Sequence, residues 1–174
     1  MIPRVAILTI SDSAVSGARL DASGPALREH CLTLGWPIAA ESLVADEASL
    51  IAAALAAWAD TQTADVILTT GGTGVAPRDV TPEATRSILD REIPGVSELL
   101  RAKGLEQTKY SVLARGLAGS RKQAFIVNFP GSPAGALFSL KAIEHLIPHI
   151  VHLLRGKTDH ACQASPNRLT GNHY

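Results

Sequence analysis

Short β-branched apolar runs alternate along this chain with stretches of helical period, and each run ends in small polar residues or glycine. Arg4 to Ser11 (RVAILTIS) is the first, a pattern that suits a buried parallel strand followed by a functional loop. Gly17 and Gly24 punctuate that loop. Pro25 fits a first helical position, and Ala26, Leu27, Cys31 and Leu34 follow at helical spacing until Gly35 stops the pattern. The unit then repeats, with Ile38 to Val44 as strand, Asp46 as N-cap and a helix from about Glu47 to Asp60. Val66 to Thr70 (VILTT) gives a third strand. Such alternation demands right-handed crossovers, and so an α/β fold with a mostly parallel sheet and helices on both faces.

The second half adds elements of another kind. Thr81-Pro82-Glu83 reads as a helix start, Thr capping and Pro in the first position, with the helix running to about Asp90. A further helix spans roughly Val96 to Lys103. Val112 to Gly119 and Ala124 to Phe129 pair as antiparallel strands across the turn Ser120 to Gln123, which makes the sheet mixed. Ser132 caps and Pro133 opens a helix that turns Leu137, Leu140, Ile143 and Leu146 inward, Pro148 kinks it, and Gly156 ends the last helix. Residues 157–174 lack periodicity and read as a mobile tail, leaving residues 1–156 as a single domain.

Charge and cysteine usage narrow the functional classes. Lys plus Arg and Asp plus Glu number 16 each, so no overall basic field favours nucleic acid or an anionic membrane surface, and any anion site is local. No apolar run approaches the roughly 20 residues of a membrane span. Cys31 and Cys162 form no C-x-x-C pair, which argues for a reducing compartment, the cytoplasm by default.

Three segments with polar or glycine-rich ends arrive at the carboxyl edge of the sheet, where open parallel sheets bind ligands. They are Ser11-Asp12-Ser13, Gly71 to Asp79, and Pro130-Gly131-Ser132. The run Thr69-Thr70-Gly71-Gly72-Thr73-Gly74 offers unshielded main-chain N–H groups and hydroxyls that can cradle a phosphate, and Arg78 can add a charge-assisted contact. No Gly-Lys-Ser/Thr follows, so this is not a P-loop, and Pro77 stands where a dinucleotide fingerprint needs glycine or alanine.

The longer string TTGGTGVAPRDVTPEAT, Thr69 to Thr85, closely resembles the signature of the molybdopterin-binding family of molybdenum-cofactor biosynthesis. The similarity extends to ISDS at Ile10 to Ser13, the Asp46-Glu47 pair, REIPG at Arg91 to Gly95 and NFPGSP at Asn128 to Pro133, and so covers about residues 4 to 156. The resemblance implies a three-layer α/β sandwich, a homotrimer, and adenylyl transfer from MgATP to the terminal phosphate of molybdopterin, with hand-over to a molybdate-inserting protein. It also implies that Asp46 and Asp79 are catalytic and hold Mg²⁺, and that Ser11, Asp12, Ser13, Thr70, Gly71, Gly72, Thr73, Gly74, Arg78, Thr81, Pro130, Gly131 and Ser132 bind substrate. An Arg78-Asp79 charged pair buried in the loop is expected. A binding module that stores or delivers a pterin without chemistry is the alternative. Ser120 to Ala124 is closer to the transferases, whereas Leu113-Ala114-Arg115 stands where the family often has Leu-Ser-Arg, removing a hydroxyl on the pterin side.

Other constellations have plainer explanations. His145, His149 and His152 share a helical face, but Pro148 interrupts it and histidines suit a helix C-terminus. Trp36 and Trp58 read as packing residues. Tyr110, on a loop beside Thr108 and Lys109, is left outside the site.

Overall fold

The computed structural model describes residues 2–157. Six strands form one sheet in the order β2-β1-β3-β6-β5-β4. Strands β1 (Val5–Ile10), β2 (Ile38–Val44), β3 (Val66–Thr70) and β6 (Ala124–Phe129) run parallel, while β5 (Ala118–Arg121) is antiparallel to both β6 and β4 (Arg91–Glu92). The short β4 has no apolar run and its two residues are exposed, so periodicity carries no trace of it.

Alternation along the strands separates two cores. Val5, Ile7, Val66, Leu68, Phe125 and Val127 face the cluster that holds α2 (Ser23–Thr33), α6 (Pro133–Ile143) and α7 (Ile147–Leu154), with α5 (Pro94–Gly104) packed on it. Ala6, Leu8, Ile10, Ile67 and Ile126 face α3 (Ala48–Asp60) and α4 (Thr81–Arg86). This is the three-layer α/β sandwich expected. The central strands β1, β3 and β6 are buried on every residue because both faces are covered. Strand β2 sits at an edge and is largely exposed.

Several sequence expectations are corrected. Helix α2 starts at Ser23, two residues before Pro25, because the Asp21 carboxylate accepts the N–H groups of Ser23 and Gly24 at 2.9 and 3.1 Å. Helix α4 ends at Arg86, not Asp90. Val112 and Leu113 belong to a 3₁₀ turn, Lys109–Leu113, and the strand begins only at Ala118. A four-residue helix, α1 (Asp12–Val15), follows β1 with Ser11 as its cap. In α6 the inward stripe is Ala136, Leu140 and Ile143, while Leu137 is half-buried. Trp36 is buried and Trp58 packs against the core, as expected. The 157–174 tail lies, but for Lys157, outside the described residues.

Pro148 opens α7 after a 64° bend from α6. Among the described residues no single helix is long and apolar enough to cross a membrane. His145 and His149 are exposed, and no group of three or more His, Cys, Asp or Glu among the described residues could hold a metal ion unaided.

Candidate functional site

The strand order reverses at β1, which lies between β2 and β3, so a crevice opens where β1 and β3 end at Ile10 and Thr70. Gly71 makes the turn out of β3. Its φ is +107°, and a Cβ there would stand 2.1 Å from the Ile10 carbonyl oxygen, so only glycine permits the close passage past β1. Gly72 follows at φ +61°.

The glycine loop divides its polar groups by face. Its four carbonyls all accept bonds from the protein: Gly71 from the Thr81 hydroxyl at 3.0 Å, Gly72 from Thr81 N–H at 3.1 Å, Thr73 from Arg115 N–H at 2.9 Å, and Gly74 from Arg115 Nε at 2.6 Å. The N–H groups of Gly72, Thr73, Gly74 and Val75 donate to nothing among the described residues. Consecutive unengaged donors with their carbonyls held elsewhere form an anion-binding surface. Thr81 thus braces the loop; it neither caps α4, whose cap is Val80, nor lines a cavity.

Two cavities adjoin here. The larger, about 760 Å³, is walled by the glycine loop, α5, the 3₁₀ turn and α6; Leu100, Tyr110, Leu113, Ala114 and Phe138 line it. The smaller, about 350 Å³, is bounded by the ends of β1 and β3, the loop before α2, and Asp46. Gly72, Asp79, Gly131 and Ser132 border both.

Most of the site residues anticipated from sequence converge on these cavities. Ser11, Asp46, Thr70 and Gly71 line the smaller, Thr73, Gly74 and Pro130 the larger. Asp12, Ser13 and Arg78 line neither. Several hydroxyls serve the scaffold: Ser11 Oγ accepts Ala14 N–H at 3.2 Å, Ser132 Oγ accepts Gly135 N–H at 3.2 Å, and Thr70 donates to the Pro130 carbonyl at 2.7 Å.

The charged residues depart further from expectation. Arg78 does not pair with Asp79 in a buried loop. Its fork grips Asp12 through Nε and Nη2 at 3.0 and 2.9 Å, and both side chains are largely exposed. Asp46 is not an N-cap either; Glu47 holds that position without a side-chain bond. Instead Asp12 N–H donates to Asp46 Oδ2 at 2.8 Å and Asp46 N–H donates to Asp12 Oδ1 at 3.0 Å, which ties the loops after β1 and β2 together. Asp79 accepts Ala76 N–H at 2.7 Å, closing its own turn.

These contacts set two carboxyls apart. The Asp46 N–H and Arg78 hold Asp12 below the usual carboxylate range. Asp46 is pushed upward, first by partial burial and then by the charges of Asp12 and Asp79, against the Asp12 N–H and Arg78. A carboxyl whose folded-state pKa is raised favours the fold below the unfolded value near 4 and loses that contribution as pH rises through the folded value. Asp46→Asn should therefore melt higher than the parent at pH 7 without added metal, the gap closing as pH falls below about 4. Thermal melts at both pH values check this; an equal gap at both contradicts it.

Two further residues position the site without a signal in the local sequence pattern. Asn128 is buried, donating from Nδ2 to Thr69 and Thr85 hydroxyls at 3.0 Å each and accepting Leu117 N–H at 3.1 Å, so it locks β3, α4 and the entry to β5. Arg115 holds the glycine loop from outside. Neither has a periodic signal, although both lie in strings quoted above. Tyr110, set aside from sequence, lines the larger cavity at its exposed rim.

The family model described as a probable molybdopterin binding domain matches residues 6–150, a span that contains both cavities. The chain belongs to the molybdopterin-binding family. Within this molybdopterin-binding family it is 42% identical over 149 residues to the molybdenum cofactor synthesis protein cinnamon of Drosophila melanogaster, covering 85% of this chain but 25% of that protein. It is 38% identical over 154 residues to the molybdopterin adenylyltransferase of Helicobacter pylori, covering 87% of this chain and 88% of that one. The crystal structure of the molybdopterin biosynthesis enzyme MoaB from Thermus thermophilus superposes with a TM-score of 0.84 at 49% identity, covering 90% of this chain and 98% of that one.

Proposed function

We propose that this chain is a molybdopterin adenylyltransferase, moving AMP from MgATP to the terminal phosphate of molybdopterin and releasing pyrophosphate. The observation that carries this reading is the junction of two cavities at a row of unengaged N–H groups beside Asp79. The larger cavity, with its aromatic and aliphatic walls, takes the pterin. The smaller, polar one takes the nucleotide phosphates. Its relatives named molybdopterin adenylyltransferase support the same assignment.

An oxygen of the pterin phosphate forms a bond to the α-phosphorus of ATP, and the bond from that phosphorus to the α–β bridging oxygen breaks, its electron pair leaving with pyrophosphate. The second pKa of a phosphate monoester is near 6, so at pH 7 the attacking group is already mostly the dianion and needs no general base. Asp46 and Asp79 are therefore assigned to organising charge rather than removing a proton. The glycine-loop N–H groups orient the phosphates where the two anions meet.

Mg²⁺ fits the residues present. An added Cβ on Gly72 would meet Asp46 Oδ1 at 2.9 Å, so this carboxyl borders the glycine loop, where burial and the charges of Asp12 and Asp79 outweigh that of Arg78. One or two carboxylates completed by phosphate oxygens is the usual Mg²⁺ environment, consistent with the absence of a three-ligand protein cluster among the described residues. Asp46 and Asp79 would hold the ion, which supplies neutralisation of the phosphate charge. A homotrimer, a cytoplasmic setting and hand-over to a molybdate-inserting protein complete the proposal. Burial pushes the Cys31 thiol up to about 12, which leaves it inert as a nucleophile.

Purified protein mixed with MgATP and molybdopterin should release pyrophosphate stoichiometrically with adenylylated pterin. Tight molybdopterin binding without pyrophosphate would replace this reading with the binding module.

A further inference from the structure

We infer that Arg115 is a positioning residue for the transfer, fixing the glycine loop and Asp79 at the junction of the two cavities. The inference rests on the function proposed above. Arg115 N–H donates to Thr73 O, Nε to Gly74 O at 2.6 Å, Nη2 to Asp79 O at 2.5 Å, and Nη1 to Glu83. One residue thus takes two successive carbonyls of the loop and the carbonyl of Asp79. Those carbonyls would otherwise be free to turn toward the phosphates and repel them. Holding them leaves the N–H groups of Gly72 to Val75 facing the ligand.

The same residue links the two halves of the site. It follows directly on Leu113 and Ala114, which line the larger cavity, so the 3₁₀ turn and the glycine loop are joined within two residues. The Asp79 carboxylate accepts Ala76 N–H while its carbonyl is held by Arg115, so the side chain that borders both cavities is fixed from two directions. Lysine cannot reproduce this, because one ammonium on a flexible stem does not match three acceptors spread around a planar fork. Glu83 meets only the outer edge of the guanidinium, so the carbonyl contacts do not depend on it.

The test compares Arg115→Lys, Arg115→Ala and Glu83→Gln with the parent, reading pyrophosphate release, molybdopterin affinity and thermal melting. Arg115→Lys should lose roughly 30-fold or more in kcat, with KM for MgATP within about threefold, and about tenfold in molybdopterin affinity, while remaining folded. Arg115→Ala should lose more and be partly restored by added ethylguanidinium. Glu83→Gln should stay within about threefold of the parent kcat. Parental kcat and affinity in Arg115→Lys, or losses that track only the fraction folded, overturn the inference, and if Arg115→Ala does not fold the lysine variant decides alone. A parent that binds molybdopterin but releases no pyrophosphate would sink the transferase reading separately; the affinity of Arg115→Lys then still decides whether Arg115 positions the loop.

Discussion

Asp79→Asn is expected to lower the adenylylation rate at least 100-fold while leaving molybdopterin affinity within about threefold of the parent. The substitution is close to isosteric. An asparagine oxygen can keep the 2.7 Å bond from Ala76 N–H, so the loop retains its turn and the change is one of charge. Asp12, Asp46 and Asp79 gather near one edge of the sheet, and of these three carboxylates Asp12 is the one bonded to an arginine side chain. Removing one of the other two negative charges leaves two phosphate anions without the group that organises their neutralisation, although binding of a single anion is eased. Asp46→Asn should behave alike, since its bond from Asp12 N–H also survives as an amide contact. Rates and dissociation constants measured on the same preparations check both. Turnover at the parental rate in both variants, or affinity lost in step with rate, contradicts the assignment.

Gly71→Ala should be the most destabilising single change in the loop, by about 3 kcal/mol or more. Two costs combine. A φ of +107° is strained for any residue with a side chain, and the Cβ would meet the Ile10 carbonyl, part of a central strand that cannot move aside. For a domain of this size such a loss lowers Tm by about 6–12 °C. Gly72→Ala is milder for the fold and harsher for the ligand. Its φ of +61° costs about 1 kcal/mol, and the Cβ would lie 2.4 Å from Thr81 Oγ1 and 2.9 Å from Asp46 Oδ1, displacing the brace and a site carboxylate together. Affinity for both phosphate-bearing substrates should fall about tenfold or more. Thermal melts and binding isotherms separate the two effects; a Gly71→Ala protein that melts with the parent would contradict the packing described here.

The sheet and its core were readable from sequence because burial on both faces forces continuous apolar runs such as VAILTI and VILTT, with Gly35 and Gly156 at helix ends in left-handed conformations. The position of the candidate site is legible in the same way, as Ser11, Gly71 and Ser132 each stand at or just beyond the end of a parallel strand. What the sequence concealed is who binds whom. Arg78 and Asp79 are adjacent in the chain, yet Arg78 reaches Asp12, 66 residues away, and Asp79 is held by Arg115, 36 residues on. Thr81 and Asp46 carry the residue types of helix caps, but tertiary partners claimed them first: the Gly71 carbonyl and the Asp12 N–H. Local propensity cannot register such competition. Val112 and Leu113 read as the start of a strand because they are apolar, yet both belong to the 3₁₀ turn Lys109–Leu113 and are exposed, Leu113 at the larger cavity.

The wall common to the two cavities has a bearing on how the reaction ends. A molecule made by joining their contents through one phosphate is a bivalent ligand whose two halves are each held in their own compartment. When one half lets go, the other keeps it within a few ångströms of its seat, at a local concentration in the millimolar range or above, so rebinding outruns escape. The conjugate should thus stay far longer than either precursor. On the proposed function, such an enzyme behaves less as a rapid turnover catalyst than as a carrier that retains its finished product.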